Sequence, residues 1–147
     1  LRYLHALQLM VMIIRPAALA AAPQITRAEL DELADRFNSS NSIHLADLLE
    51  AIMRHTTLKP LYVILSETNH LLEWGHHFAY YPSKRRTLSH LNKQVIAAFR
   101  QLNQGNADSF ADGIADCYCY ILVCMKKHMT EKYKFSNASN IRIPEKY

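Results

Sequence analysis

The chain has 147 residues, half of them hydrophobic, with three Gly, five Pro and a formal net charge of +4 at pH 7. This length fits one domain that buries its own core without cross-links, and the composition argues against both a disordered chain and a turn-rich β architecture. The three cysteines, Cys117, Cys119 and Cys124, are odd in number and lie close together in one helical pattern. They argue against a disulfide framework and indicate a reducing, cytoplasmic environment.

Apolar residues recur at helical spacing along most of the chain, and no segment alternates strictly enough for a half-buried strand. We therefore predict an all-α protein, a compact antiparallel bundle of about five to six helices. The whole of residues 1–147 is expected to form a single domain, with a loop-like tail over residues 136–147.

The first predicted helix covers about residues 2–14. Its apolar run loosely resembles a secretory signal, but Arg15 and Pro16 interrupt it and leave it too short to span a bilayer. We expect a core helix here. Pro16 is then predicted to start a short second helix that Pro23 stops.

Further along the chain, Thr26 and Glu29 form a capping-box signature, and Gly105 is expected to end a helix. The remaining helices are predicted over about residues 26–37, 42–55, 60–81, 88–102 and 106–132.

The positive charge lies in the second half of the chain. Residues 1–82 hold six Lys/Arg and eight Asp/Glu, whereas residues 83–147 hold eleven and five. No acidic residue occurs between Glu73 and Asp108. Such a stretch attracts polyanions such as nucleic acid or nucleotide phosphates, although a solvated helix face gives the same pattern.

Glu67 stands out in the predicted helix over residues 60–81. At about 100 degrees per residue, Val63, Ile64, Leu71, Trp74 and Phe78 share one arc. Glu67 falls in the middle of this arc and His70 at its border. Because a carboxylate on an apolar face is costly without a partner, Glu67 is predicted to bind a cation or to pair with an Arg or His in the core.

The last predicted helix carries a row of acids. Asp108, Asp112 and Asp116 follow one another at i, i+4 spacing, and the same row continues into Cys119 and Tyr120. Like charges at this spacing repel each other. A hard divalent cation would relieve the repulsion, and so would the positive end of the helix together with solvent.

Two segments resemble the metal-binding helices of the all-α, MazG-like nucleotide pyrophosphohydrolases. They are Ser66-Glu67-Thr68-Asn69-His70 and Ala111-Asp112-Gly113-Ile114-Ala115-Asp116, and the likeness covers about residues 61–132. The family carries an E-x-x-E pair on one helix and an acidic pair on a later one. On matching positions Glu67, Asp112 and Asp116 would be catalytic metal ligands, and His70 stands where the second Glu is expected.

This resemblance implies a Mg²⁺-dependent hydrolase that releases pyrophosphate from a nucleoside triphosphate and that associates with itself. The metal would bridge phosphate oxygens and activate water. The candidate phosphate-binding residues are Lys84, Arg85, Lys93, Lys126 and Lys127.

The alternative function is a non-catalytic helical module that binds a protein or nucleic-acid partner through the basic 84–100 stretch. Two weaker patterns are the E-x-x-H elements of di-iron bundles, at Glu67 and Glu73, and the R-x4-H spacing of HEPN ribonucleases, from Arg85 to His90. The two E-x-x-H elements point to different faces of one helix, whereas a di-iron site needs them on separate helices. For the ribonuclease pattern, the helical wheel separates the side chains of Arg85 and His90.

The hydrolase hypothesis predicts that the purified protein with Mg²⁺ releases pyrophosphate from at least one of a panel of nucleoside and deoxynucleoside triphosphates. Asp116→Asn should abolish the release because it removes a ligand charge. A coupled pyrophosphate assay measures it. No release from any triphosphate in the panel would favour the binding module.

Overall fold

The computed structural model describes residues 2–39, 45–76, 84–132 and 142–144, and side chains within 3–39, 45–71, 89–130, 142–144 and at Arg86. The described segments contain six α-helices and no strand, as the all-α prediction requires. The helices are α1 (Arg2–Ala21), α2 (Arg27–Ser39), α3 (Leu45–Arg54), α4 (Lys59–His76), α5 (Lys84–Asn103) and α6 (Ala107–Lys132).

Helix α1 forms the centre of the bundle. It packs most extensively against α6 and α4 and touches α3, while α5 covers another side of α6. The largest fully buried side chains come from α1, α3, α4 and α6: Leu4, Leu7, Met10, Ile14, Leu48, Leu49, Ile52, Leu65, Phe110, Ile114 and Leu122. Each such side chain contributes about 1.5–3 kcal/mol through its burial.

The prediction of two separate N-terminal helices is wrong, because α1 continues through Pro16 to Ala21. Proline removes the hydrogen bond to the carbonyl four residues earlier, here that of Met12. Pro16 is exposed and Met12 is 71% exposed, so solvent can satisfy this carbonyl. A short 3₁₀ turn (Ala22–Gln24) follows the helix.

This continuity also corrects the expectation that the N-terminal apolar segment is too short to span a bilayer. Tyr3–Gln24 is long and apolar enough by length and composition, and 44% of its most apolar window is buried inside the protein. Core helices of soluble proteins and signal sequences have the same length and composition.

The predicted cap of α2 is half formed. The amide of Glu29 donates to Oγ1 of Thr26 at 3.2 Å, which satisfies one of the free N–H groups at the helix start. The carboxylate of Glu29 does not accept the hydrogen bond from the backbone amide of Thr26 that would complete the capping box. It contacts Nε2 of His55, just after α3, at 2.7 and 2.9 Å, so it links α2 to the end of α3.

The turn between α5 and α6 is a Schellman motif. Gly105 has a φ of +82°, its amide bonds to the carbonyl of Leu102, and the amide of Asn106 bonds to that of Gln101. A side chain with a Cβ is strained at this φ, which is why glycine ends the helix. The predicted end at Gly105 is confirmed.

Helices α5 and α6 come into close contact at a second glycine. A Cβ added to Gly113 would lie 2.9 Å from Cβ of Ala98 and 3.3 Å from its Cα. These atoms belong to the backbone or are fixed to it, so they cannot move aside without shifting a helix. Gly113 therefore sets the distance between α5 and α6.

Gly113→Ala should lower the free energy of unfolding by up to about 2 kcal/mol. Alanine gains about 1 kcal/mol of helix propensity, but overpacking a rigid contact costs about 1–3 kcal/mol. Urea denaturation measures the change.

The double variant Gly113→Ala/Ala98→Gly should recover stability. Removing the Cβ of residue 98 makes room on α5 for the new Cβ of residue 113. Ala97→Gly is the matched control. Residue 97 is exposed on the same helix. The free-energy changes caused by Ala97→Gly and Gly113→Ala should therefore be additive, with no recovery of stability in the double variant. If Ala98→Gly and Ala97→Gly restored the stability of Gly113→Ala equally, the close contact between residues 98 and 113 would be contradicted.

Candidate functional site

Glu67 and His70 lie on the solvent side of α4. Both side chains are exposed, and so are Val63, Ile64 and Leu71 from the predicted apolar arc, at 48, 42 and 47%. The expectation that Glu67 is buried is wrong, and so is its alternative of a partner in the core. The side chains of Trp74 and Phe78, which complete the arc, lie outside the described residues.

A second face of α4 packs on the core instead. Leu65 and Thr68 are buried there, and Leu61 is half-buried beside them. The helix therefore has apolar residues on two sides. A helical wheel shows both arcs, but it cannot tell which of them the neighbouring helices cover, because this depends on the packing of α1 and α3.

The acidic row of α6 contacts an arginine of α1. Nε of Arg15 donates to Oδ1 of Asp112 at 2.7 Å, and its Nη2 lies 3.6 Å from Oδ1 of Asp108. This hydrogen bond, together with the negative charge of Asp112, raises the pKa of Arg15 above its ordinary value. Repulsion between Asp108 and Asp112 is thus offset by a guanidinium group. Sequence reasoning missed Arg15, whose partners lie 93 and 97 positions away.

Asp116 lies one turn further along α6 and is half-buried, next to the buried thiol of Cys117. Burial, with a smaller contribution from the negative charge of Asp116, raises the pKa of this thiol to about 12. The thiol therefore stays protonated at neutral pH and is a poor nucleophile and metal ligand. Cys117 and Cys119 are both completely buried in the core.

The structure does not bring the predicted metal ligands together. Among the side chains that it describes, no group of three or more His, Cys, Asp or Glu could hold a metal ion. Glu67 and His70 lie on α4, which packs on α1 and α3, whereas Asp112 and Asp116 lie on α6. These two helices barely touch each other in the described residues.

The predicted phosphate-binding residues fall into three groups. Lys93 on α5 and Lys127 on α6 are exposed. Lys126 is half-buried and already engaged in an interaction. The side chains of Lys84 and Arg85 lie outside the described residues.

Helix α5 presents one continuous cationic face, which we call the α5 stripe. It consists of Arg86, His90, Lys93 and Arg100, all exposed, with exposed Ser89 and Ala97 between them. The spacings from 86 to 90, 93, 97 and 100 alternate between four and three residues, which keeps them on one side of a helix. At 1.5 Å per residue the stripe is about 21 Å long.

The α5 stripe differs from the described arginine side chains of α1, α2 and α3 in having no carboxylate partner among the described residues. Arg15, Arg27, Arg36 and Arg54 each lie within 4.0 Å of an Asp or Glu oxygen. No such ion pair involves Arg86, Lys93 or Arg100 among the described residues. The sequence already indicates this difference, since no acid occurs between Glu73 and Asp108.

One cavity of about 420 Å³ lies between α3 and α4. Its charged lining is paired: Glu50 contacts Arg54 at 3.1 Å, and Asp47 contacts Arg36 at 3.2 Å. The pairing leaves no strong charge to orient a ligand. The lining residues are Ala46, Asp47, Glu50, Met53, Arg54, Tyr62 and Asn69.

Comparison of this chain with protein-family models, with curated proteins and with solved structures finds no match.

Because Glu67 is exposed, we expect Glu67→Gln to affect stability differently from the substitution of a metal ligand. Glu67→Gln should change the free energy of unfolding by no more than about 0.5 kcal/mol, as substitutions at exposed positions usually do. Mg²⁺ should not change the urea midpoint of either protein. Asp112→Asn, which removes the partner of Arg15, should destabilise more than Glu67→Gln. A Mg²⁺-dependent stabilisation that Glu67→Gln abolishes would restore the metal-site hypothesis.

Proposed function

We propose that this chain is a non-catalytic helical module that binds nucleic acid through the α5 stripe. The observation that carries the proposal is the row of exposed cations on one face of a single helix, Arg86, Lys93 and Arg100, which have no carboxylate partner in the part of the chain that the structure describes. Cations that no internal acid neutralises are available to an external polyanion.

The dimensions of the stripe suit a phosphate backbone. Successive phosphates of a duplex strand rise by about 3.4 Å, so the stripe of about 21 Å spans about six nucleotides. Three neutralised phosphates would give a modest affinity with a clear dependence on salt. Phosphate contacts of this kind are independent of base sequence.

Nucleic acid fits the α5 stripe better than a protein partner does. Protein interfaces have an apolar, aromatic-rich centre and few lysines, whereas nucleic-acid interfaces are polar and strongly positive. The residues between the cations are the small Ser89 and Ala97. In the described part of the chain, the large hydrophobic side chains that are exposed belong to α1, α4 and the residue before α4: Leu9, Met12, Leu58, Tyr62, Val63, Ile64 and Leu71.

Nucleotide hydrolysis is the competing proposal. It requires Glu67, Asp112 and Asp116 around one Mg²⁺, and these carboxylates lie on helices that barely touch. The pyrophosphate assay described above tests it directly.

The proposal predicts that the protein binds a labelled oligonucleotide with an affinity that falls as salt rises. Lys93→Gln should make the slope of log affinity against log salt shallower by about 0.7–0.9, the value for one phosphate contact. Fluorescence anisotropy at several salt concentrations measures this slope.

Lys59→Gln is the matched control. Lys59 is also an exposed lysine, so the substitution removes the same charge, but it lies on α4, away from the α5 stripe. It should leave the slope unchanged. Equal effects of Lys59→Gln and Lys93→Gln would show that only net charge matters, and absence of binding at low salt would refute the proposal.

A further inference from the structure

One aromatic ring of the α5 stripe, that of His90, contacts the ring of Tyr120 on α6. The ring centroids of His90 and Tyr120 are 4.3 Å apart, and the rings are tilted by 40°. His90 is exposed, whereas Tyr120 is half-buried and packs against the core. The imidazole is therefore the outer layer of a two-ring stack whose inner layer is held by the protein.

The helices on which the two rings lie fix their position. Residue 98 of α5 lies against residue 113 of α6, and residue 90 lies against residue 120, as expected of two antiparallel helices. The close contact at Gly113 limits sliding between these helices. A ring on a regular helix, supported from behind, is better preorganised than a ring on a loop.

His90 also lies between two cations of the stripe. Arg86 is one helical turn before it, about 6 Å along the axis, and Lys93 is about 4.5 Å after it. Both side chains are exposed. A strand that follows the stripe would thus place phosphates near both cations and a base over the imidazole ring.

We propose that the α5 stripe binds single-stranded rather than double-stranded nucleic acid, with one base stacked on His90. This inference rests on the proposed function. Bases stack on aromatic side chains, including histidine, when they are turned out of a helix, and such stacking tolerates any base. In a duplex the faces of the bases are covered by their neighbours, so only the phosphates would reach the stripe.

The test compares a single-stranded oligonucleotide with a hairpin duplex of the same composition, using the full chain and fluorescence anisotropy. The wild-type protein should bind the single strand more tightly. His90→Gln should weaken single-strand binding about 5- to 10-fold, the lower part of the range for one stacked base. It should leave duplex binding nearly unchanged.

His90→Tyr distinguishes stacking from charge, because tyrosine keeps an aromatic ring and removes the imidazole nitrogen atoms. It should retain the preference for the single strand. His5→Gln is the matched control, because His5 is also an exposed histidine but lies on α1, outside the α5 stripe. It should behave as wild type. Thermal melting followed by circular dichroism checks that each variant folds, which is expected because residues 5 and 90 are exposed.

A base analogue gives a second readout. The fluorescence of 2-aminopurine, placed in the single strand, should be quenched on binding to the wild-type protein and to His90→Tyr, and less so with His90→Gln. Equal affinity for single strand and duplex, with no effect of His90→Gln, would overturn the inference and leave phosphate binding intact. No salt-dependent binding of either nucleic acid would overturn the proposed function as well.

Discussion

The burial of α1 between α4 and α6 is the contact on which the rest of this bundle depends. Four of its side chains, Leu4, Leu7, Met10 and Ile14, are completely buried. Arg15, on the edge of the same helix, contacts two acids of α6. Burial supplies most of the energy, while the ion pair is half-exposed and fixes the register of α1 against α6 more than it adds stability. Because α1 occupies this position, α4 and α6 are kept apart.

This separation determines which functions the described residues support. A shared metal site would need α4 and α6 side by side, with their carboxylates turned toward each other. Instead, Asp108 and Asp112 of α6 contact Arg15, and Glu67 of α4 is exposed to solvent. Three cations without a carboxylate partner among the described residues, Arg86, Lys93 and Arg100, share one face of α5. The chain thus separates its surface into an α4 side with exposed apolar residues and an α5 side with exposed cations.

The all-helical class and most helix positions could be predicted from the sequence, because they follow from local periodicity and from local signals such as Gly105. The continuity of α1 through Pro16 could not, since it depends on whether solvent reaches the carbonyl of Met12. The face of α4 that is buried could not be predicted either, because the helix has two apolar arcs. For the site, the absence of acids near Lys93 is visible in the sequence. The contact of Arg15 with Asp112, which makes the acidic row unavailable, depends on tertiary structure.

The central position of α1 also affects how the protein is made. A ribosome adds about 5–20 residues per second, and about 100 residues separate α1 from the parts of α6 that cover it. The apolar face of α1 therefore stays uncovered for about 5–20 s until α6, its main packing partner, is synthesised. We expect α1 to need transient protection by a chaperone during this interval, and the hairpin of α5 and α6, whose contacts are local, to form before α1 docks on it.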